Sequence, residues 1–192
     1  MEKRGNLVVI EGVDGCGKDT QINRLKEELN CKVFKYPTMK FSMLRDFLEK
    51  RLELDRKALF LLFLADIAEE QKKVKKALEE HELVIMDRYV FSTISYEINA
   101  LSFDDAKHIV KKLEFMKPDK VLLLDIPAEV SFERKKKQKT PDRYEEDREY
   151  LEKVRGRFLK LQKENFMSKW KFIDATKSID EVYVEIKKAV KK

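Results

Sequence analysis

The chain has 192 residues, 42 Lys and Arg against 36 Asp and Glu, and a net charge of +6. That length fits one domain with a sizeable core, and the mild positive balance suits a phosphorylated small molecule better than a nucleic acid, for which no RNA-binding signature is present. The longest apolar run, Ala58 to Ala65, is too short to span a bilayer, and two cysteines without metal spacing, Cys16 and Cys31, argue against a zinc site and for a reducing compartment.

The N-terminus carries no signal-peptide pattern and runs directly into Leu7-Val8-Val9-Ile10-Glu11, so a cytoplasmic protein is expected. This apolar run reads as a buried strand, and it breaks into Gly12-Val13-Asp14-Gly15-Cys16-Gly17-Lys18-Asp19-Thr20. Gly12, Gly15 and Gly17 allow sharp turns and close approach of backbone N–H groups to an anion, and Lys18 adds a cation where a helix start already favours negative charge. The spacing is that of a phosphate loop, G-x4-G-K-[ST], with one departure: Asp19 stands where a metal-binding hydroxyl belongs, and Thr20 follows one place later. Cys16 is either a thiol activated by the lysine and the helix start or simply a small loop residue. The helix that follows is expected to turn Ile22, Leu25, Lys26 and Leu29 inward.

Apolar runs then alternate with amphipathic stretches, which predicts βαβ units around a parallel sheet, with strands at 6–11, 32–36, 83–87, 119–125 and 170–174. A long helix is predicted from Asp55 to Glu80, charged in its second half. Leu83-Val84-Ile85-Met86 delivers Asp87, Arg88 and Tyr89 to the carboxyl edge of the sheet, where open α/β folds bind ligands. Asp87 there can hold Mg²⁺ and Arg88 can clamp phosphate oxygens, although the same dipeptide also occurs as a plain surface ion pair. The Lys-rich stretch from Arg134 to Lys139, ending at Thr140-Pro141, predicts a mobile loop, and with Arg143 it forms a basic cluster. Most of these charges are expected to be solvated surface, with at least one stabilising a phosphoryl group in transfer. His81 and His108, in charged helical surroundings, are expected at the surface.

These segments, in this order, resemble the thymidylate kinase family from Leu7 to Val190. The phosphate loop, Phe34-Lys35-Tyr36-Pro37, Leu61-Leu62-Phe63-Leu64-Ala65-Asp66, Asp87-Arg88-Tyr89-Val90-Phe91-Ser92, Asp142-Arg143-Tyr144-Glu145 and Asp174 to Val182 each match a family motif. The resemblance implies a three-layer α/β P-loop kinase fold, a five-stranded parallel sheet flanked by helices, as one domain over 1–192 with a short basic lid at about 134–145. It implies transfer of phosphate from ATP, with Mg²⁺, to dTMP, giving dTDP for dTTP biosynthesis, in a homodimer to which Ala58–Ala65 contributes. Gly12 to Thr20 would cradle ATP, and Asp19 and Asp87 would serve the metal. Asp14 would reach the sugar 3′-OH, Phe63 would stack on the base, and Arg88 with Ser92 would bind the acceptor phosphate. Tyr96 would exclude a ribose 2′-OH. Gly15 in the loop, with the basic cluster downstream, matches the family members whose catalytic cation comes from the lid; Arg143 is first in line, then Arg134 and Lys137. Three family features are replaced: the base-reading arginine by Ile67, the arginine after the second strand by Thr38-Met39 with Lys40 close by, and the hydroxyl by Asp19. A kinase of other or broader base choice, and a nucleotide-binding protein without transfer activity, are the alternatives.

Overall fold

A computed structural model describes residues 4–136 and 148–191. Five strands, β1 (Asn6–Glu11), β2 (Lys32–Lys35), β3 (Leu83–Asp87), β4 (Lys120–Asp125) and β5 (Lys169–Asp174), form one sheet in the order β2-β3-β1-β4-β5. All four pairings are parallel. Every predicted strand is present with its ends displaced by at most one residue. For β1, β3 and β4 the reason is that strands covered on both faces read as unbroken apolar runs, and β3 is buried at every position; the outer β2 and β5 are shorter apolar stretches set between charged residues.

The helices are α1 (Lys18–Glu28), α2 (Ser42–Leu48), α3 (Arg56–Glu80), α4 (Val90–Tyr96), α5 (Phe103–Lys112), α6 (Ala128–Lys136), α7 (Arg148–Lys163) and α8 (Ile179–Val190). Asp55 starts α3 by accepting from the N–H groups of Lys57 and Ala58 at 2.9 and 3.2 Å, a cap of the kind worth about 1 kcal/mol. Helices α1 and α8 pack together, and α4 packs with α3, α5 and α7. The two groups cover opposite faces of the sheet and complete the three layers. Tyr89, Phe91, Phe115, Phe166 and Trp170 form an edge-to-face aromatic cluster, tightest at Phe91–Trp170 with centroids 4.9 Å apart.

Two details correct the sequence reading. Lys26 is exposed, and the inward face of α1 is built by Gln21, Ile22 and Leu25 with Leu29 half-buried. Arg134, assigned to a mobile loop, lies in the last turn of α6, whose helix continues through Lys136. Its breaker signals, Thr140 and Pro141, come too late to stop the helix sooner, and they lie outside the described residues, as do Lys137, Lys139, Asp142, Arg143 and Tyr144.

Candidate functional site

The strand order makes the site. From β1 the chain passes into α1 on one face, whereas its neighbour β3 leads into α4 on the other, so the two loops part and open a crevice at the strands' carboxyl ends. A cavity of about 680 Å³ lies there. Its walls include Asp14, Gly15, Cys16, Gly17, Lys18, Asp19 and Thr20 from the phosphate loop, together with Phe63, Asp87, Arg88, Ser92, Tyr96 and Arg134. Lys18 and Arg88, drawn from separate strand–loop units, therefore share one cleft.

The loop geometry follows from its glycines. Gly12, Gly15 and Gly17 all have positive φ, at 148°, 77° and 92°. At Gly12 a Cβ would stand 2.4 Å from the carbonyl oxygen of Leu124, so only glycine lets β1 leave the sheet so close to β4. Gly12 and Val13 sit under the cavity rather than in its wall. Their carbonyl oxygens accept from Lys18 Nζ at 2.9 and 3.2 Å, which holds the ammonium inside the loop. Cys16 is buried, with its Sγ 3.5 Å from the same ammonium, and fits the reading of a small loop residue.

Across the cleft, Arg88 occupies the left-handed region at φ 68°, a conformation that costs a non-glycine residue about 1–2 kcal/mol and turns its side chain off the strand into the cavity. Its guanidinium pairs with Asp14 and donates to Ser92 Oγ at 3.2 Å. Burial works against its charge, but Asp14 beside it holds the guanidinium well above its ordinary range. Tyr96 donates to the other Asp14 oxygen at 2.7 Å, and burial together with that carboxylate pushes the phenol up, so it stays a donor. Asp14 is thus fixed by both neighbours at the cavity wall.

Beneath Arg88 lies a carboxylate that the sequence reading passed over. Glu11 is fully buried at the end of β1 and accepts from the backbone N–H groups of Tyr89 and Ser92 at 2.8 and 3.2 Å and from Ser92 Oγ at 2.6 Å. It fastens the start of α4, and with it Arg88, to the phosphate-loop strand. An acid closing an apolar run just before a glycine was the available signal. Burial pushes the Glu11 carboxyl up to about 7 from 4.5, against the pull of Ser92, Arg88 and Lys18. Between those two values the unfolded chain has released the proton that the folded chain still holds, so this group's contribution to stability falls as pH rises from 4.5 to about 7 and is level above. Glu11→Gln cannot ionise and is expected to remove that part of the slope, on the order of 3 kcal/mol, when urea unfolding is compared with wild type across the window. Parallel stability curves for the two proteins would contradict it.

On the donor side, Asp19 is not alone. Lys35 Nζ lies 2.5 Å from Asp19 Oδ1 and 3.4 Å from Asp87 Oδ2. Burial raises the Asp19 carboxyl, but Lys35, aided by Lys18, outweighs it and holds the group below the usual carboxylate range. Asp87 is buried, and its Oδ1 has no hydrogen-bond partner among the described residues. Arg134 donates to the carbonyl oxygens of Gly15 at 3.4 Å and Ala175 at 3.0 Å, tying α6 to the phosphate loop and to the loop after β5. That loop adds Ala175 and Lys177 to the cavity wall.

Further along, the wall sets apolar Leu59, Phe60, Phe63, Ile67 and Met39 beside polar Arg56, Asp66, Thr93 and Glu97, of which the sequence reading missed Arg56, Thr93 and Glu97. Phe63 is half-buried, so it packs against the small cluster of Leu44, Phe47 and Leu59 and still presents itself to the cavity. Thr38 is bound to Asp66, with its N–H 2.7 Å from one carboxylate oxygen and its hydroxyl on the other. Lys40, close in sequence to the place of the family's missing arginine, pairs with Glu70 and does not reach the wall.

The family model described as thymidylate kinase matches residues 10–186. A probable thymidylate kinase 1 of Saccharolobus solfataricus is 38% identical over 197 residues, covering 97% of each chain. The thymidylate kinase of Thermosipho africanus is 35% identical over 202 residues, covering 97% of this chain and 98% of its own. Among solved structures, the thymidylate kinase of Candida albicans, described for the origin of its broad substrate specificity, superimposes with a TM-score of 0.79 at 26% identity, covering 98% of this chain and 92% of that one.

Proposed function

Because the chain belongs to the thymidylate kinase family, and is therefore a phosphotransferase, we propose that its cleft joins ATP to dTMP through the residues described above. The observation that carries this reading is the placement of Lys18 and Arg88 in one cavity, two cations facing a space that two phosphate-bearing molecules would share. Lys18 and the loop amides hold the donor's phosphates, and Arg88, set by Asp14 and Ser92, holds the acceptor's. An oxygen of the dTMP 5′-phosphate attacks the γ-phosphorus, the bond from that phosphorus to the β-bridging oxygen breaks, and dTDP and ADP result. No covalent nucleophile is required, and no base either, since the acceptor phosphate is already ionised. The protein's work is positioning and charge stabilisation. Arg134 lies at the donor end, and Arg143 and Lys137 keep the lid role that the family resemblance gives them.

The donor set fits a hard divalent cation. Among the described residues no group of three or more His, Cys, Asp or Glu converges, but Asp87 Oδ1 is a buried acceptor with nothing to accept, and Asp19 stands beside it. Asp19 and Asp87 would hold Mg²⁺, which supplies charge neutralisation to the polyphosphate and keeps water ligands of its own.

A second reading, a wider choice of base, is favoured by the apolar wall at Ile67 and Met39. A pocket that recognises thymine mainly by shape separates it from a base lacking the methyl by only about ten- to two-hundredfold. The deciding experiment is a coupled ADP assay across dTMP, dUMP, dGMP, dCMP and TMP carrying a 2′-OH. Fastest turnover is expected on dTMP, with dUMP the nearest competitor. ATP binding without turnover on any of them would sink the kinase reading.

The face of α3 carrying Ala58, Leu61, Ala65 and Ala68 is exposed, Leu61 at 57%, which supports a homodimer packed through this helix. Sedimentation as a monomer at micromolar concentration would count against it. No helix among the described residues is long and apolar enough to cross a membrane. Two free cysteines suit a cytoplasmic setting.

A further inference from the structure

Lys35 plays no part in the transfer chemistry described above, yet it stands at the most charged point of the donor side. It is the last residue of β2, paired in register with Asp87 on β3, so the sheet itself brings ammonium and carboxylate together. Asp19 reaches the same ammonium from the first turn of α1. Three charges from three elements therefore converge at the cavity wall, and the buried Asp87 Oδ1 beside them has no partner. The two carboxylates differ in freedom: the Asp87 side chain is 3% exposed, whereas those of Asp19 and Lys35 are 74% and 60% exposed. The lysine is thus held by its charges rather than by packing, on a flexible stem that can swing clear.

We propose that Lys35 is the resident counter-ion of a two-carboxylate divalent-cation subsite made by Asp19 and Asp87, and that it excludes free metal until a polyphosphate draws its ammonium away. Two carboxylates side by side attract divalent metal from solution whether or not nucleotide is present. With Lys35 between them most of that attraction is already spent. An incoming triphosphate changes the balance, because its oxygens offer the ammonium another anionic partner and offer the metal further ligands. Metal and nucleotide then enter together, and the unliganded protein does not fill its subsite with a cation that nothing bridges. The inference rests on the kinase reading for its purpose, but not for its geometry.

The test is Mn²⁺ binding to nucleotide-free protein, followed by the electron paramagnetic resonance of the free ion. Lys35→Met and Lys35→Gln are each expected to bind one Mn²⁺ about tenfold more tightly than wild type, since both remove a half-exposed ammonium and keep the stem. Lys35→Arg should stay near wild type. Adding Asp19→Thr to Lys35→Met should abolish the gain. Equal affinity in wild type and both neutral variants would overturn the proposal, and so would a gain that survives loss of Asp19. The two claims separate cleanly: a Mn²⁺ gain in a protein that phosphorylates no nucleotide leaves the subsite standing and sinks the kinase, and normal turnover with no gain does the reverse.

Discussion

Replacing Arg88 with methionine is expected to lower kcat/KM for dTMP by about a thousandfold, mostly through kcat, while ATP binding changes little. The guanidinium meets the acceptor phosphate both before and during transfer, but its worth is greatest when charge builds on the moving group in a site shielded from water. Lysine should recover little of the loss, because one point charge cannot reproduce a planar fork that reaches Asp14 and Ser92 together. Some of the effect could come from leaving Asp14 without its cation, a cost of at most a few kcal/mol in stability because the pair is partly exposed. The double variant Arg88→Met with Asp14→Asn separates the two causes. It should regain stability and remain inactive. Turnover within tenfold of wild type in Arg88→Met would remove Arg88 from the chemistry.

Lys18→Met is expected to reduce turnover by about a hundred- to a thousandfold and to raise KM for ATP, leaving dTMP binding nearly intact. Methionine fills the space of the stem, so the loop keeps its packing and loses the ammonium held against the Gly12 and Val13 carbonyls. The opposite signature, weaker dTMP with ATP unaffected, would mean that donor and acceptor ends have been exchanged. Together the two variants place each nucleotide at its own end of the cavity through a split between KM values that a purely structural role would not produce.

How much of this was visible in the chain is uneven, and the unevenness has causes. The inner strands β1, β3 and β4 were legible because a parallel strand covered on both faces needs an uninterrupted apolar run, and the outer β2 and β5 because short Val, Phe, Trp and Ile stretches stand between charged residues. The phosphate loop was legible because positive φ demands glycine at fixed spacing. Pairings formed across long separations were not. Thr38 and Asp66 are 28 residues apart, and nothing local marks them as partners. Nothing local marked Lys35 either, since only the register of β2 on β3 sets it against Asp87. Glu11 was passed over although its place at the end of an apolar run was visible, because its donors, the backbone N–H groups of Tyr89 and Ser92 and the Ser92 hydroxyl, lie 78 and 81 residues further on. Arg134 was misread because lysines and arginines suit a helix's last turn as well as they suit a loop.

The sheet is sealed at its centre and open at its margins: β1, β3 and β4 are covered on both faces, while β2 and β5 are half-exposed. Spontaneous opening of such a structure starts from the outside, where fewer apolar contacts must be given up. Lys35 rides on an outer strand, and Lys18 and Arg88 follow inner ones. Fraying of the margin can therefore release the guard at the metal subsite while the platform that aligns the two phosphates stays assembled.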